Sequence, residues 1–195
     1  MKKRSLPPML SALVQTTLTS CDGARFDECG SCPHCGGELS GYDVRKKQFA
    51  IMTEGEQKRV IHVWVRRFLC RQCGQVCLAD QPFYPDTRIG SPVVDLCVTL
   101  SETMPASRVS SCLAEMGIMV DRWSVRNYVR KNHPAIPAAD MFGVRIPLSI
   151  VSLSSLAVGI SEGNHIDARA LLAACGNPSR KEIPDGYSPI PDPCP

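Results

Sequence analysis

Apolar positions change their spacing along this chain, and the change marks out its parts. From Tyr42 to Met52 and from Lys58 to Leu69 hydrophobic and polar residues alternate as they do in half-buried strands, and Thr53-Glu54-Gly55-Glu56 between them has turn chemistry. The expectation is a hairpin. From residue 91 the period lengthens to about 3.6, the spacing of a helix. Val93, Val94, Leu96, Cys97 and Leu100 form the stripe of a first helix, opened by a Ser91-Pro92 cap and ended before Pro105. A second helix from Ala106 to Met116 sets Val109, Cys112, Leu113 and Met116 inward and stops at Gly117. Asp121 caps a third, from Arg122 to Asn132, with Val125, Tyr128 and Val129 inward.

The flanks are less regular. Val144 to Ile160 is apolar, but Arg145, Pro147 and serines 149, 152, 154 and 155 interrupt it, whereas a membrane span needs about 20 apolar residues in succession. A helix or strand packed against protein is expected there, and no membrane partner. His165 to Cys175 reads as a short helix ending at Gly176, and the proline-rich run from Asn177 as a disordered tail. At the other end, Lys2-Lys3-Arg4 and the stretch from Leu6 to Leu18 before Cys21 imitate a lipoprotein signal. Pro7, Pro8, Gln15, Thr16 and Thr17 break that stretch, which favours a short amphipathic arm.

Eleven cysteines bring in the first chemistry. With no clear export signal the thiols are expected to be reduced, in a cytoplasmic and nucleoid-associated protein, and some of them to bind metal. Cys32-Pro33-His34-Cys35-Gly36 and Cys70-Arg71-Gln72-Cys73-Gly74 are two matched Cys-x-x-Cys knuckles on either side of the hairpin. Zinc takes four soft ligands in a tetrahedron, and two such turns supply them in pairs with backbone amides aimed at the sulfurs. The expected Zn2+ ligands are Cys32, Cys35, Cys70 and Cys73. Cys29 and Cys77 compete for places in this set, and His34 and His62 are weaker substitutes. A single iron held by four thiolates, in an electron carrier, is the alternative metal.

Charge adds a direction. Between residues 32 and 133 lysine and arginine outnumber aspartate and glutamate, and from 134 onward the balance reverses, so a polyanion would meet the middle of the chain. The second and third helices have the layout of a helix-turn-helix, which puts Arg122, Trp123, Ser124, Arg126 and Asn127 on or near an outer face. Arginine bonds guanine bidentately and asparagine bonds adenine, so this face suits a major groove, with Arg130 and Lys131 nearer phosphates. Arg66 and Arg67, just before the second knuckle, add to the DNA-binding set. The expected fold is α+β: an arm over 1-28, a zinc ribbon over 29-84, a three-helix helix-turn-helix bundle over 88-133, an accessory segment over 134-176 and a tail over 177-195.

Four strings together carry a family resemblance: Cys32-Pro33-His34-Cys35-Gly36, Val65-Arg66-Arg67-Phe68-Leu69-Cys70-Arg71-Gln72-Cys73, Phe83-Tyr84-Pro85, and Asp121 to Arg130. In these, about half its length, the chain resembles the N-terminal DNA-binding region of insertion-sequence transposases, a zinc ribbon paired with a helix-turn-helix. The resemblance implies recognition of transposon-end or operator double-stranded DNA, with a homodimer or a separate transposase catalytic subunit as further partner. Full transposases continue into a domain with three metal-binding carboxylates, and the acids after residue 133 have no such arrangement. A binding module or truncated relative is therefore expected, not an enzyme. The competing class is a protein-interaction adaptor in which the metal unit is structural and the 144 to 160 segment docks a partner.

Overall fold

The computed structural model describes residues 6-55, 57-131, 134-160 and 165-178. The basic run at 2-4 and the proline-rich tail from 179 onward lie outside the described residues. In chain order the elements are α1 (Pro8–Thr19), β1 (Arg25–Phe26), β2 (Leu39–Glu54), β3 (Gln57–Cys70), β4 (Val76–Leu78), α2 (Ser91–Ser101), α3 (Ala106–Glu115), α4 (Arg122–Arg130), β5 (Ala138–Met141), β6 (Val144–Pro147), α5 (Leu148–Val158) and α6 (Ala168–Ala174).

The hairpin forms where alternation places it and runs further at both ends. Strands β2 and β3 pair antiparallel from Leu39↔Cys70 to Glu54↔Gln57, with bulges at Gly41/Asp43 and Gln48/Ala50. Along β3, Ile61, Val63 and Val65 are fully buried, while His62, Trp64 and Arg66 between them point away from the core. Two short strands flank β3: β1 joins it in parallel through Arg25↔Trp64, and β4 antiparallel through Phe68↔Cys77.

The α+β class stands, but the layout of a ribbon followed by a separate three-helix bundle is overturned. One continuous core takes Leu10, Val14 and Leu18 from α1, Val63 and Val65 from β3, Val94 and Leu96 from α2, Ile150 and Leu153 from α5, and Leu171 from α6. α2 is its centre. Nine of its eleven residues are buried, and it packs on β6, α4, α3 and α5, whereas a helix of a free-standing bundle would keep one wet face. Its Asp95 is only 3% exposed and accepts hydrogen bonds from the Tyr84 hydroxyl (2.7 Å) and the Ser149 hydroxyl (2.6 Å), which ties the stretch before α2 to α5. The hairpin tip is fastened to the α3–α4 turn by Thr53 N–H to the Gly117 carbonyl and Met119 N–H to the Ile51 carbonyl, both 2.8 Å. A ribbon and a bundle joined by a linker would have no reason to share these bonds.

Local details also correct the sequence reading. The α2 cap is Gly90, with no side-chain bond, and not Ser91. Asp121 does cap α4, accepting from the amides of Trp123 (2.8 Å) and Ser124 (3.0 Å). Val144 to Ile160 divides into β6 and α5, and β6 pairs with β5. No helix among the described residues is long and apolar enough to cross a membrane.

Two substitutions test this packing. A Cβ on Gly90 would stand 2.3 Å from the Phe49 ring, which is fully buried and meets Phe83 edge-on at 6.0 Å. Gly90→Ala should therefore cost about 1 to 3 kcal/mol of overpacking, read from the denaturation midpoint. Asp121→Ala should cost about 1 kcal/mol through the lost cap. The Ser124 hydroxyl and the Ser124 and Trp123 amides hold the Asp121 carboxyl below its ordinary value. Its contribution is thus complete above the usual carboxylate range and is lost as pH falls through the lowered folded value. The stability gap between wild type and Asp121→Ala should stay constant near neutrality and close below about pH 4.

Candidate metal centre and cationic helix

The first register pair of the hairpin, Leu39↔Cys70, carries both knuckles to the same end of the sheet. Each closes in the same way. Gly36 N–H donates to the Cys32 carbonyl (2.8 Å) and Gly74 N–H to the Cys70 carbonyl (3.1 Å). The two glycines have φ of 72° and 69°, a left-handed turn that any side chain would strain. A further bond, Arg71 N–H to the Glu38 carbonyl at 3.0 Å, links the two turns directly.

These turns gather the Sγ atoms of Cys32, Cys35, Cys70 and Cys73 within 4.8 Å of one another. Cys32 and Cys73 are 3.6 Å apart, Cys35 and Cys70 3.5 Å. A tetrahedral ion with metal–sulfur bonds of about 2.3 Å has sulfur–sulfur edges of about 3.8 Å, so the four could hold a metal ion with small rotamer adjustments. No other group of three or more such ligand side chains assembles among the described residues. Cys32 and Cys70 face the interior and Cys35 and Cys73 face solvent. His34 is exposed beside the cluster and His62 lies well along β3 opposite Gln48, so neither joins the set. The Cys29 sulfur rests 3.8 Å from the Ser31 carbonyl. Cys77 is buried, with its sulfur 3.8 Å from that of Cys32.

Electrostatics within the cluster fit a cation. Burial opposes ionisation of Cys32, but the amides of His34 and Cys35 and the thiols of Cys73 and Cys70 outweigh it and bring its pKa down to about 6. The Cys73 amide leads the groups that lower Cys70. For Cys35 the Gly37 amide acts downward, yet the bonds it makes with Cys70 and Cys73 prevail and push it up to about 12. The set is thus divided, with Cys32 and Cys70 easier to ionise and Cys35 harder, and a divalent ion bound here would displace the thiol protons.

The nine candidate DNA contacts separate into two groups. Arg67 is clamped by both carboxylate oxygens of Asp43 on the facing strand and lies over the Tyr42 ring. Arg66 pairs with Asp27 at 3.4 Å. The Ser124 hydroxyl is committed to the Asp121 cap at 2.7 Å, Asn127 is half-buried, and the Lys131 ammonium donates to the Asp86 carbonyl. The other four share one side of α4. Arg122, Arg126 and Arg130 recur every fourth residue, about 6 Å apart along the axis, and Trp123 beside them is 69% exposed. Among the described residues none of the three arginines makes an ion pair. Val125, on the same helix, is fully buried.

No protein-family model, curated protein or solved structure matches this chain.

Removal of a bound metal should act locally. Chelation should abolish amide-exchange protection at residues 32-37 and 70-77 while the helical circular dichroism signal persists. Loss of both together would show that the whole core depends on the ion. Cys70→Ser should reproduce the local effect, because a buried sulfur of the set is removed.

Proposed function

We propose that this chain binds zinc and reads double-stranded DNA through the exposed side of α4, as a transposase-like recognition module or transposon-derived regulator that catalyses no reaction of its own. The observation that carries this reading is the row of three arginines, Arg122, Arg126 and Arg130, which form no ion pair among the described residues and flank exposed Trp123 on a helix anchored by buried Val125. An α-helix fits the major groove of B-form DNA, where arginine recognises guanine through O6 and N7. Cations at the two ends of the row suit the phosphates flanking such a contact.

Four thiolates in a tetrahedron suit zinc and a single iron alike, and zinc is the ion of this reading. Four thiolates on two short turns are the usual closed structural zinc site, and zinc there contributes to folding without electron transfer. The same thiolates and arginine-bearing helix are the elements on which the resemblance to insertion-sequence transposases rests. A second reading draws on the exposed apolar side chains of Met119 (45%), Trp123 (69%) and Val129 (42%), which suit a protein partner in an adaptor.

A salt titration on a duplex selected from random sequence, run beside an unrelated duplex, separates the two. Arg126→Ala should lose about 1 to 3 kcal/mol on the selected duplex and far less on the unrelated one. Arg122→Ala or Arg130→Ala should weaken both duplexes and flatten the slope of log affinity against log salt by about one unit. Arg67→Ala, whose guanidinium is already held by Asp43, should leave that slope unchanged. Absence of any salt-dependent DNA binding by the wild type would sink the DNA reading and leave the adaptor.

A further inference from the structure

Four thiolates complete a tetrahedral metal site, yet a fifth thiol is built into this one. Cys77 comes from β4, which the β3 pairing Phe68↔Cys77 holds beside the second knuckle. With Cys32, Cys70 and Leu39 it forms a small apolar cluster separate from the main core. Its sulfur lies 3.8 Å from that of Cys32, and Cys32 is in turn 3.6 Å from Cys73. Three sulfurs are therefore in succession, and their exposure is graded. Cys73 is open to solvent, whereas Cys32 and Cys77 are 2% and 4% exposed.

We propose that Cys77 is an oxidative modification site, the buried end point of a thiol relay that dismantles the metal centre under hydroperoxide. This rests on the zinc reading for its consequence, metal release, but not for its chemistry. The oxidant meets the exposed thiol of Cys73, which attacks the peroxide as its proton is lost; the O–O bond breaks, Cys73 becomes a sulfenic acid, and the departing oxygen takes up that proton and leaves as water. Cys32 then attacks the Cys73 sulfur, forming a Cys32–Cys73 disulfide and expelling the oxygen as water once a proton is taken up. With Cys32 and Cys73 joined, only Cys35 and Cys70 would remain to hold a bound ion, which would be released. Cys77 next gives up its proton and attacks Cys32, and the Cys73 sulfur leaves, takes up a proton and is regenerated as the thiol. In sum, two thiols and one hydrogen peroxide become one disulfide and two waters. The two electrons come from Cys32 and Cys77, and the peroxide bond accepts them.

The last exchange moves the disulfide from a solvent-facing sulfur to two buried ones, where a reductant reaches it more slowly. Cys77 suits this role because it stands outside the four-sulfur set with its sulfur 3.8 Å from that of Cys32. Cys35 and Cys70, 3.5 Å apart, have each other as nearest partner once the ion is gone.

The test uses the full chain loaded with zinc and one equivalent of hydrogen peroxide. Free thiols are then alkylated in acid and the tryptic peptides sequenced by mass spectrometry, with released zinc followed by a chromophoric chelator. The expected end product links Cys32 to Cys77 and leaves Cys73 alkylated. Cys77→Ser should hold zinc with unchanged stoichiometry and stop at the Cys32–Cys73 disulfide, which dithiothreitol should reverse faster than the wild-type product. Three results would overturn the inference: a wild-type end product joining Cys32 to Cys73 with Cys77 alkylated, disulfides confined to Cys35 and Cys70, or loss of zinc from untreated Cys77→Ser. A wild type that forms the Cys32–Cys77 bond but never held zinc would overturn the zinc reading alone.

Discussion

Everything described here hangs on one register, the pairing of β2 with β3 from Leu39↔Cys70 to Glu54↔Gln57. Because side chains alternate across a sheet, a slip of one residue would turn Ile61, Val63 and Val65 to solvent and bury His62, Trp64 and Arg66. The same slip would separate the knuckles, since Cys70 is both a strand end and a sulfur of the metal centre. At the other end the bonds of Thr53 and Ile51 to the α3–α4 turn would lose their partners. A single set of ladder bonds thus fixes the sheet face, the thiol cluster and the attachment of the helices.

How much of this could be read from the sequence follows from the range of each interaction. The hairpin, the three central helices and the Asp121 cap are set by residues within a few positions of one another, and their periods are visible in the chain. The Cys-x-x-Cys pairs were legible for the same reason, and the strand alternation between them brought the pairs together. What alternation could not convey was the joining of hairpin and helices into one core. That depends on α1 and α5, more than a hundred residues apart, packing against each other and on α2 being enclosed on nearly every side. Asp95 was also invisible, because a lone acid on an apolar helix looks like its wet face until the Tyr84 and Ser149 hydroxyls are found to meet it. The role of Cys77 depends on β4 pairing with β3, and three residues are too few to announce a strand.

The long hairpin also keeps the two candidate sites apart. From Leu39, beside the thiols, to Ile51, beside the α3–α4 turn, the strand rises about 3.3 Å per residue, or about 40 Å in all. Between them stands a sheet whose inner face is already fixed by the main core. The thiol cluster, with Leu39, forms its own small apolar group. The position of α4 is accordingly set by Val125 and the packing against α2 and α3, and the influence of an ion bound by the thiols would be confined to the strand ends and the two turns.

Sequence proximity would treat all the arginines of residues 66 to 130 alike, and energetics does not. Arg67 has a bidentate carboxylate partner and Arg66 an ion pair, so each is accounted for by the stability of the sheet. Arg122 and Arg126 run against local preference, whereas Arg130, in the last turn, suits the helix dipole. Like charges four residues apart on a helix repel by several tenths of a kcal/mol per pair, and Arg122, at the first helical position, opposes the helix dipole as well. Trp123 leaves 69% of a large apolar side chain in water. The Asp121 cap offsets part of this strain, but among the described residues no carboxylate pairs with the row. A ligand that is anionic, repeats its charge along its length and offers flat groups to an indole would relieve all three departures at once.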